Sequence, residues 1–146
     1  MEWKWKALES LCYKNSRRDV VHTYNGKMYN AVFFILRQYF RTWRAIFYDG
    51  KQKVFPKNLE LTLLSLAVWY MDDGCWTGKK IVISTESFNE ESMQFIQDVL
   101  FKKFNIETVA SSNGKLVIRK KFHEIFCKLI SPYVVSSMKY KVPKAL

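Results

Sequence analysis

The spacing of apolar and polar positions changes several times along this chain, and each change predicts an element. In the first 13 residues Leu8, Leu11 and Cys12 fall on one side of a helical spacing. VVHTY, then Asn25-Gly26, then KMYNAVFF follow. An Asn-Gly pair between β-rich runs predicts a hairpin, because both central turn positions need positive φ. Over residues 36–48, Tyr39, Phe40, Trp43, Ile46 and Phe47 form one stripe, which predicts an amphipathic helix ended by Asp49-Gly50. Residues 59–73 are the most apolar stretch. Their core, LTLLSLAVWYM, is apolar nearly all round and predicts a buried helix that stops at Asp72-Asp73-Gly74. A hairpin turning at Gly78 should follow, with Lys79 to Thr85 as its return strand. Ser87 and Glu90 have the spacing of a capping box for a helix running to Phe104. A second Asn-Gly hairpin, turning at Asn113-Gly114, spans Ile106 to Lys120, and a last helix covers His123 to Ile130 and breaks near Pro132.

The predicted order is α-ββ-α, then α-ββ-α-ββ-α. The first part reads as the second with its opening helix and first hairpin removed. The expected class is α+β, antiparallel β-hairpins backed by helices, divided into residues 1–58 and 59–146.

A two-residue turn at Asn113-Gly114 would pair Ser112 with Lys115, Ala110 with Val117 and Thr108 with Arg119. One face would then carry Thr108, Ser112, Lys115 and Arg119, and the other Val109, Leu116 and Ile118. The second set belongs against a core. The first suits a DNA groove, where Arg reads guanine edges and Lys, Ser and Thr take phosphates or bases. Lys79, Lys80 and Ser84 extend that candidate surface, and the first hairpin offers His22, Tyr24, Asn25 and Lys27.

Charge strengthens this picture. The 146 residues hold 24 Lys and Arg against 13 Asp and Glu, a formal charge of +11. Such an excess repels itself unless a polyanion is near, and nucleic acid is the commonest one. An anionic membrane surface is the rival, but no uninterrupted apolar run approaches the ~20 residues of a membrane span. Glu2, Lys4 and Lys6 interrupt any apolar signal segment. Cys12, Cys75 and Cys127 are odd in number and widely spaced, which predicts buried or half-buried free thiols in a reducing compartment rather than a zinc site or disulfide framework. His22 and His123 lack any evident nucleophile partner and read as surface or core residues.

Asp72 and Asp73 occupy the C-terminal end of an apolar helix, where the dipole disfavours anions. Two readings follow: a solvated turn closing a core helix, or carboxylates whose repulsion a divalent cation offsets. Mg²⁺ favours carboxylate and phosphate oxygens.

LAVWYMDDG, residues 66–74, resembles the second of the two motifs in LAGLIDADG homing endonucleases. The similarity continues through IVISTESFNEESMQFIQDVLFKKFNI, the basic hairpin and ISPYVVSSMKYKVP, all of which resemble the C-terminal half of that family's single-chain, intron-encoded branch. FYDGKQKVFPKNL resembles the linker before the second motif. The resemblance implies a saddle-shaped antiparallel sheet on DNA. It also implies sequence-specific, double-strand cleavage leaving short 3′ overhangs, with Mg²⁺ or Mn²⁺ as cofactor. Carried over by position, Asp73 is the catalytic, metal-binding aspartate and Asp72 its neighbour. Lys141 is a basic active-site residue, and Lys53 is its counterpart from the other half. On the same view, residues 59–146 are a complete motif-bearing unit and residues 1–58 a partial half without its motif helix.

Single-chain members carry two motif helices that bring two aspartates together, whereas this sequence shows one. A homodimer, or another chain carrying the missing helix, would supply the second aspartate. An RNA maturase or a cleavage-dead DNA binder on the same fold, with intron RNA as a possible partner, is the alternative. An organelle or a bacterial cytoplasm would suit either.

Overall fold

The computed structural model describes residues 2–143, which form two units dividing between Ala45 and Ile46. In the first unit, helix α1 (Glu2–Leu8) tightens into a 3₁₀ turn over Glu9–Leu11. Cys12 is buried there, its Sγ donating to the Leu8 carbonyl at 3.2 Å. Strands β1 (Arg18–Tyr24) and β2 (Lys27–Phe33) pair antiparallel with Tyr24 opposite Lys27. That register leaves Asn25 (φ 49°) and Gly26 (φ 71°) as the expected two-residue turn. Both faces of the ribbon are largely exposed, Met28 by 78% and Tyr24 by 69%.

The helix predicted over residues 36–48 is different in kind. Gln38–Trp43 is 3₁₀, and only Arg44–Phe47 (α2) makes an α turn. No side chain caps this segment at Arg37, and its aromatic residues are weak helix formers. Tyr39 packs tilted against Phe40 (4.5 Å) and Phe40 meets Trp43 edge-on (5.5 Å), so the rings contact each other along the chain.

The second unit begins with a small hairpin, β3 (Tyr48–Asp49) and β4 (Gln52–Lys53). The apolar helix α3 is Leu63–Asp73, four residues shorter at its start than the hydrophobic pattern suggests. Thr62 sets the boundary: its Oγ1 accepts from the Ser65 N–H at 3.1 Å, and Ser65 Oγ accepts from the Thr62 N–H at 2.8 Å. This reciprocal cap satisfies two donors the helix cannot satisfy itself. Leu66, Ala67, Tyr70 and Met71 are buried, but Leu64 is 55% exposed, so within this chain α3 is covered on one side only.

Strands β5 (Gly74–Trp76) and β6 (Ile81–Ile83) follow α3 directly. Helix α4 (Glu90–Phe104) leads to β7 (Thr108–Ala110) and β8 (Leu116–Ile118), and α5 (His123–Ile130) follows. Further 3₁₀ turns cover Ser131–Tyr133 and Ser136–Lys141. The strands form one antiparallel sheet in the order β5-β6-β8-β7. Ile81, Ile83, Leu116 and Ile118 are fully buried with Leu66, Ile96, Leu100, Phe126 and Ile130 from the helices. This is the α+β arrangement of hairpins backed by helices.

Two local expectations are corrected. Helix α4 is capped by Asn89, whose side chain accepts from the Ser92 N–H at 2.9 Å, and not by Ser87. The β7–β8 hairpin is shifted by one residue: Thr108 faces Ile118, Val109 faces Val117 and Ala110 faces Leu116. The turn is a wider one, closed by Gly114 N–H to the Ser111 carbonyl and Ser111 N–H to the Lys115 carbonyl. Ser111, whose hydroxyl also bonds the Lys115 backbone on both sides, outcompetes the two-residue turn. A one-residue slip exchanges the faces. Thr108 is therefore buried, while Val109 is only half-buried, opposite Val117.

Candidate functional site: the end of α3 and the basic sheet

Asp72 and Asp73 close α3 with both residues exposed. The Gly74 N–H ends the helix on the Tyr70 carbonyl. The Asp73 carbonyl accepts from the Ser84 N–H at 2.9 Å, so Asp73 stands where the helix passes into the sheet. Its carboxylate projects from a backbone held on both sides and anchored by the fully buried Tyr70 and Met71.

Lys141 reaches the same helix end. Its Nζ donates to the Met71 carbonyl at 2.6 Å and to the Asp72 carbonyl at 3.3 Å. These are carbonyls that an α-helix leaves without internal partners. A cation at the negative end of the helix dipole also offsets the field that disfavours Asp72 and Asp73. The Tyr70 hydroxyl donates to the Lys141 carbonyl at 2.7 Å, and burial pushes that hydroxyl well above its ordinary range.

Lys53 stands elsewhere. Its Nζ lies 4.8 Å from the centre of the Phe88 ring, and Phe88 meets Trp69 edge-on at 6.4 Å. Trp69 is one helical turn before Asp73 on α3, so Lys53 approaches that helix through an aromatic cluster completed by Phe55 and Phe95.

Among the described residues no three His, Cys, Asp or Glu side chains come together. At this helix end the hard oxygens available to a cation are those of Asp72 and Asp73. That donor set fits Mg²⁺ or Mn²⁺, which bind through one or two carboxylates and complete their shell with water and phosphate.

The basic candidates divide between the two ends of the sheet. Lys79, Lys80 and Arg119 line one open groove of about 590 Å³, together with Lys120, Trp76 and His123. Trp76 and Lys120 escaped the sequence reading. Lys120 sits in the basic run Arg119–Lys121, which was the available signal. His123 is buried, Nε2 3.0 Å from the Ile118 carbonyl and its ring edge-on to Trp76 at 5.8 Å.

Ser84, Ser112 and Lys115 lie toward the opposite end, that of Asp73. Ser84 adjoins Asp73 through the backbone bond, and Ser112 is exposed in the turn. Lys115 pairs with Glu86 at 3.4 Å. The Glu86 carboxyl is held below its ordinary range by its own backbone N–H, with Lys115 adding to the effect against desolvation. Arg119 and Lys121 share Glu107, at 3.5 and 2.8 Å. Thr108, placed by sequence on the exposed face, is buried with an unpartnered hydroxyl. Cys75 is exposed on β5, which corrects the expectation that all three thiols would be buried or half-buried. No helix among the described residues is long and apolar enough to cross a membrane.

The fold closely matches a solved structure, "The homing endonuclease I-WcaI bound to its DNA recognition sequence", with a TM-score of 0.78 at 23% identity over 99% of this chain and 71% of that one. In sequence the chain is 32% identical over 159 residues to the Saccharomyces cerevisiae cytochrome b mRNA maturase bI2, covering 92% of this chain and 36% of that protein. It is 31% identical over 127 residues to the probable intron-encoded endonuclease 1 of Wickerhamomyces canadensis, covering 69% of this chain and 55% of that protein. The chain thus spans between about a third and about a half of the length of these curated relatives. The model of the LAGLIDADG DNA endonuclease family matches residues 1–126. With most of its length matched and the αββαββα order of the second unit in place, this chain belongs to the LAGLIDADG DNA endonuclease family.

Proposed function

We propose that this chain is a sequence-specific, divalent-cation-dependent double-strand DNA endonuclease, or a subunit of one, with Asp73 as its essential carboxylate. The observation that carries this reading is the exposed Asp73 residue at the fixed end of a helix buried along one side, beside a lysine that neutralises the helix terminus.

Asp73, with Asp72 beside it, would hold Mg²⁺ or Mn²⁺. The bound cation would supply positive charge to polarise a scissile phosphate and acidify water. The chain's own residues would do the rest. Lys141 keeps positive charge at the helix end. Lys53 adds a second cation on the Trp69 side of α3. Lys79, Lys80, Lys115 and Arg119, with Ser84 and Ser112, would hold DNA across the sheet.

These residues carry one motif aspartate, and the reading calls for a second carboxylate from outside them, for instance from a second copy of the chain or another chain. The exposed Leu64 beside the small Ser65 gives α3 a surface suited to such a helix partner. On this reading residues 59–146 are the motif-bearing unit and residues 1–58 part of the other half.

A maturase role is the second reading, favoured by the relative named as a cytochrome b mRNA maturase. It uses the same basic surface and needs no carboxylate pair. Incubation with the intronless target DNA, with and without Mg²⁺, separates the two. Cutting that EDTA abolishes supports the endonuclease. Binding to intron RNA without DNA cutting overturns it in favour of the maturase.

A further inference from the structure

Lys141 is tied down more firmly than a residue that acts directly on substrate needs to be. An ammonium has three donors, and two of them go to the carbonyls of Met71 and Asp72, at 2.6 and 3.3 Å. The backbone of the same residue accepts the Tyr70 hydroxyl at 2.7 Å. Tyr70 itself cannot move far. It is 1% exposed, its ring meets Phe126 edge-on at 5.2 Å, and it fills the space above Gly74 where any other residue would place a Cβ. Lys141 is thus tied to the last turn of α3 at two points, through its Nζ to the carbonyls of Met71 and Asp72 and through its own carbonyl to the Tyr70 hydroxyl. Asp72 and Asp73 follow immediately.

We infer that Tyr70 and Lys141 are positioning residues that fix the last turn of α3, and with it the direction of the Asp73 carboxylate toward a divalent cation. Helix ends fray unless their free carbonyls find partners. A ligand carboxylate has to be held to within about 0.5 Å and 10–20° of its working geometry. The clamp meets both needs, and it makes the segment Ser136–Lys141 part of the site. Lys141 then acts on the Asp73 carboxylate through α3. The inference rests on Asp73 being the metal-binding carboxylate.

The test uses the full chain with its duplex target and three variants: Tyr70→Phe, Lys141→Met and Asp73→Asn. Mn²⁺ binding is followed by loss of the free-ion electron paramagnetic resonance signal. Cleavage kinetics and metal-free thermal unfolding are measured alongside. Asp73→Asn should lose the Mn²⁺ site. Tyr70→Phe and Lys141→Met should each weaken Mn²⁺ binding about 10-fold, the low end for losing a group that orients a ligand. Their kcat should fall while KM for DNA stays constant, and their metal-free unfolding should stay well above the assay temperature, so that the fall does not come from a smaller folded fraction. Wild-type Mn²⁺ affinity in Tyr70→Phe and Lys141→Met, with the site lost in Asp73→Asn, would overturn the clamp and leave the Asp73 reading intact. Wild-type Mn²⁺ affinity in Asp73→Asn would overturn the Asp73 reading and the clamp with it. Should Lys141→Met fail to fold, Tyr70→Phe decides the question, because it removes one oxygen and keeps the ring.

Discussion

The ring of Tyr70 occupies the space that a side chain on Gly74 would need: a Cβ built there would overlap the ring and crowd the Tyr70 carbonyl. Gly74 has an ordinary φ of −89°, so the requirement for glycine comes from packing and not from backbone strain. Gly74→Ala must displace a ring that is 1% exposed. Overpacking of this kind costs about 1–3 kcal/mol, or roughly 4–8 °C in Tm per kcal/mol for a domain of this size. Differential scanning calorimetry of the two proteins measures it, and an unchanged Tm would show that the ring moves aside freely.

Asp73→Asn keeps the shape of the side chain and removes its charge. DNA cutting should fall below detection, while affinity for the duplex changes by no more than about threefold, ~0.6 kcal/mol. Gel assays of cutting, paired with fluorescence anisotropy of binding, separate the two effects. A cutting-competent Asp73→Asn protein would remove Asp73 from the site.

The site was more legible in the sequence than the surface around it. The place of Asp73 at the end of α3 could be read because an apolar run ends abruptly in Asp-Asp-Gly, while its proposed metal-binding role came from the resemblance of LAVWYMDDG to the family motif. Tyr70 could not be read in the same way. Its importance comes from a hydrogen bond to a residue 71 positions away, and inside LAVWYM it looks like one more core aromatic. The hairpin register failed for a local reason: the Ser111 hydroxyl bonds the Lys115 backbone and widens a turn that the Asn-Gly pair alone would have made tight. That single residue exchanged Thr108 for Val109 on the solvent side. The stripe of Tyr39, Trp43 and Ile46 was visible, but periodicity carries no information about whether anything covers a face, and these three are about half exposed.

The corrected cap on α4 gives a discriminating pair of mutants. Asn89→Ala removes the acceptor for the Ser92 N–H and should cost about 1 kcal/mol, within the usual 0.5–2 for a lost N-cap. Ser87→Ala removes no capping bond and should be close to neutral. Urea titrations compare them. Equal losses would mean that both residues support the helix start.

The thiols should react in the order of their exposure. Cys75 is exposed, Cys127 half-buried and Cys12 buried, so alkylation at neutral pH followed by peptide mass spectrometry should mark Cys75 first. Burial raises the Cys127 thiol from its ordinary 9.0 to about 11. A raised folded-state pKa means that the native state holds its proton more tightly than the unfolded chain does. The contribution is full below about pH 9 and is lost as pH rises toward 11. Stability should therefore decline across that window, and the decline should be shallower in Cys127→Ala. Identical slopes in the two proteins would show that the thiol is not the cause.

Arg119 offers the sharpest test of the basic sheet as a DNA surface. It lines the groove with Lys79 and Lys80, yet in the free protein it is 3.5 Å from Glu107, which also holds Lys121. Binding a phosphate would have to draw the guanidinium away from that carboxylate. Glu107→Gln removes the competitor and should tighten binding to any duplex at low salt. Arg119→Ala should weaken binding and lower the slope of log K against log salt by about 1, the signature of one lost phosphate contact. Anisotropy titrations of a labelled duplex at several salt concentrations read both effects. If the slope is unaffected by Arg119→Ala and affinity by Glu107→Gln, DNA does not reach this end of the sheet, and the contacts must come from the Lys115 and Ser84 end beside Asp73.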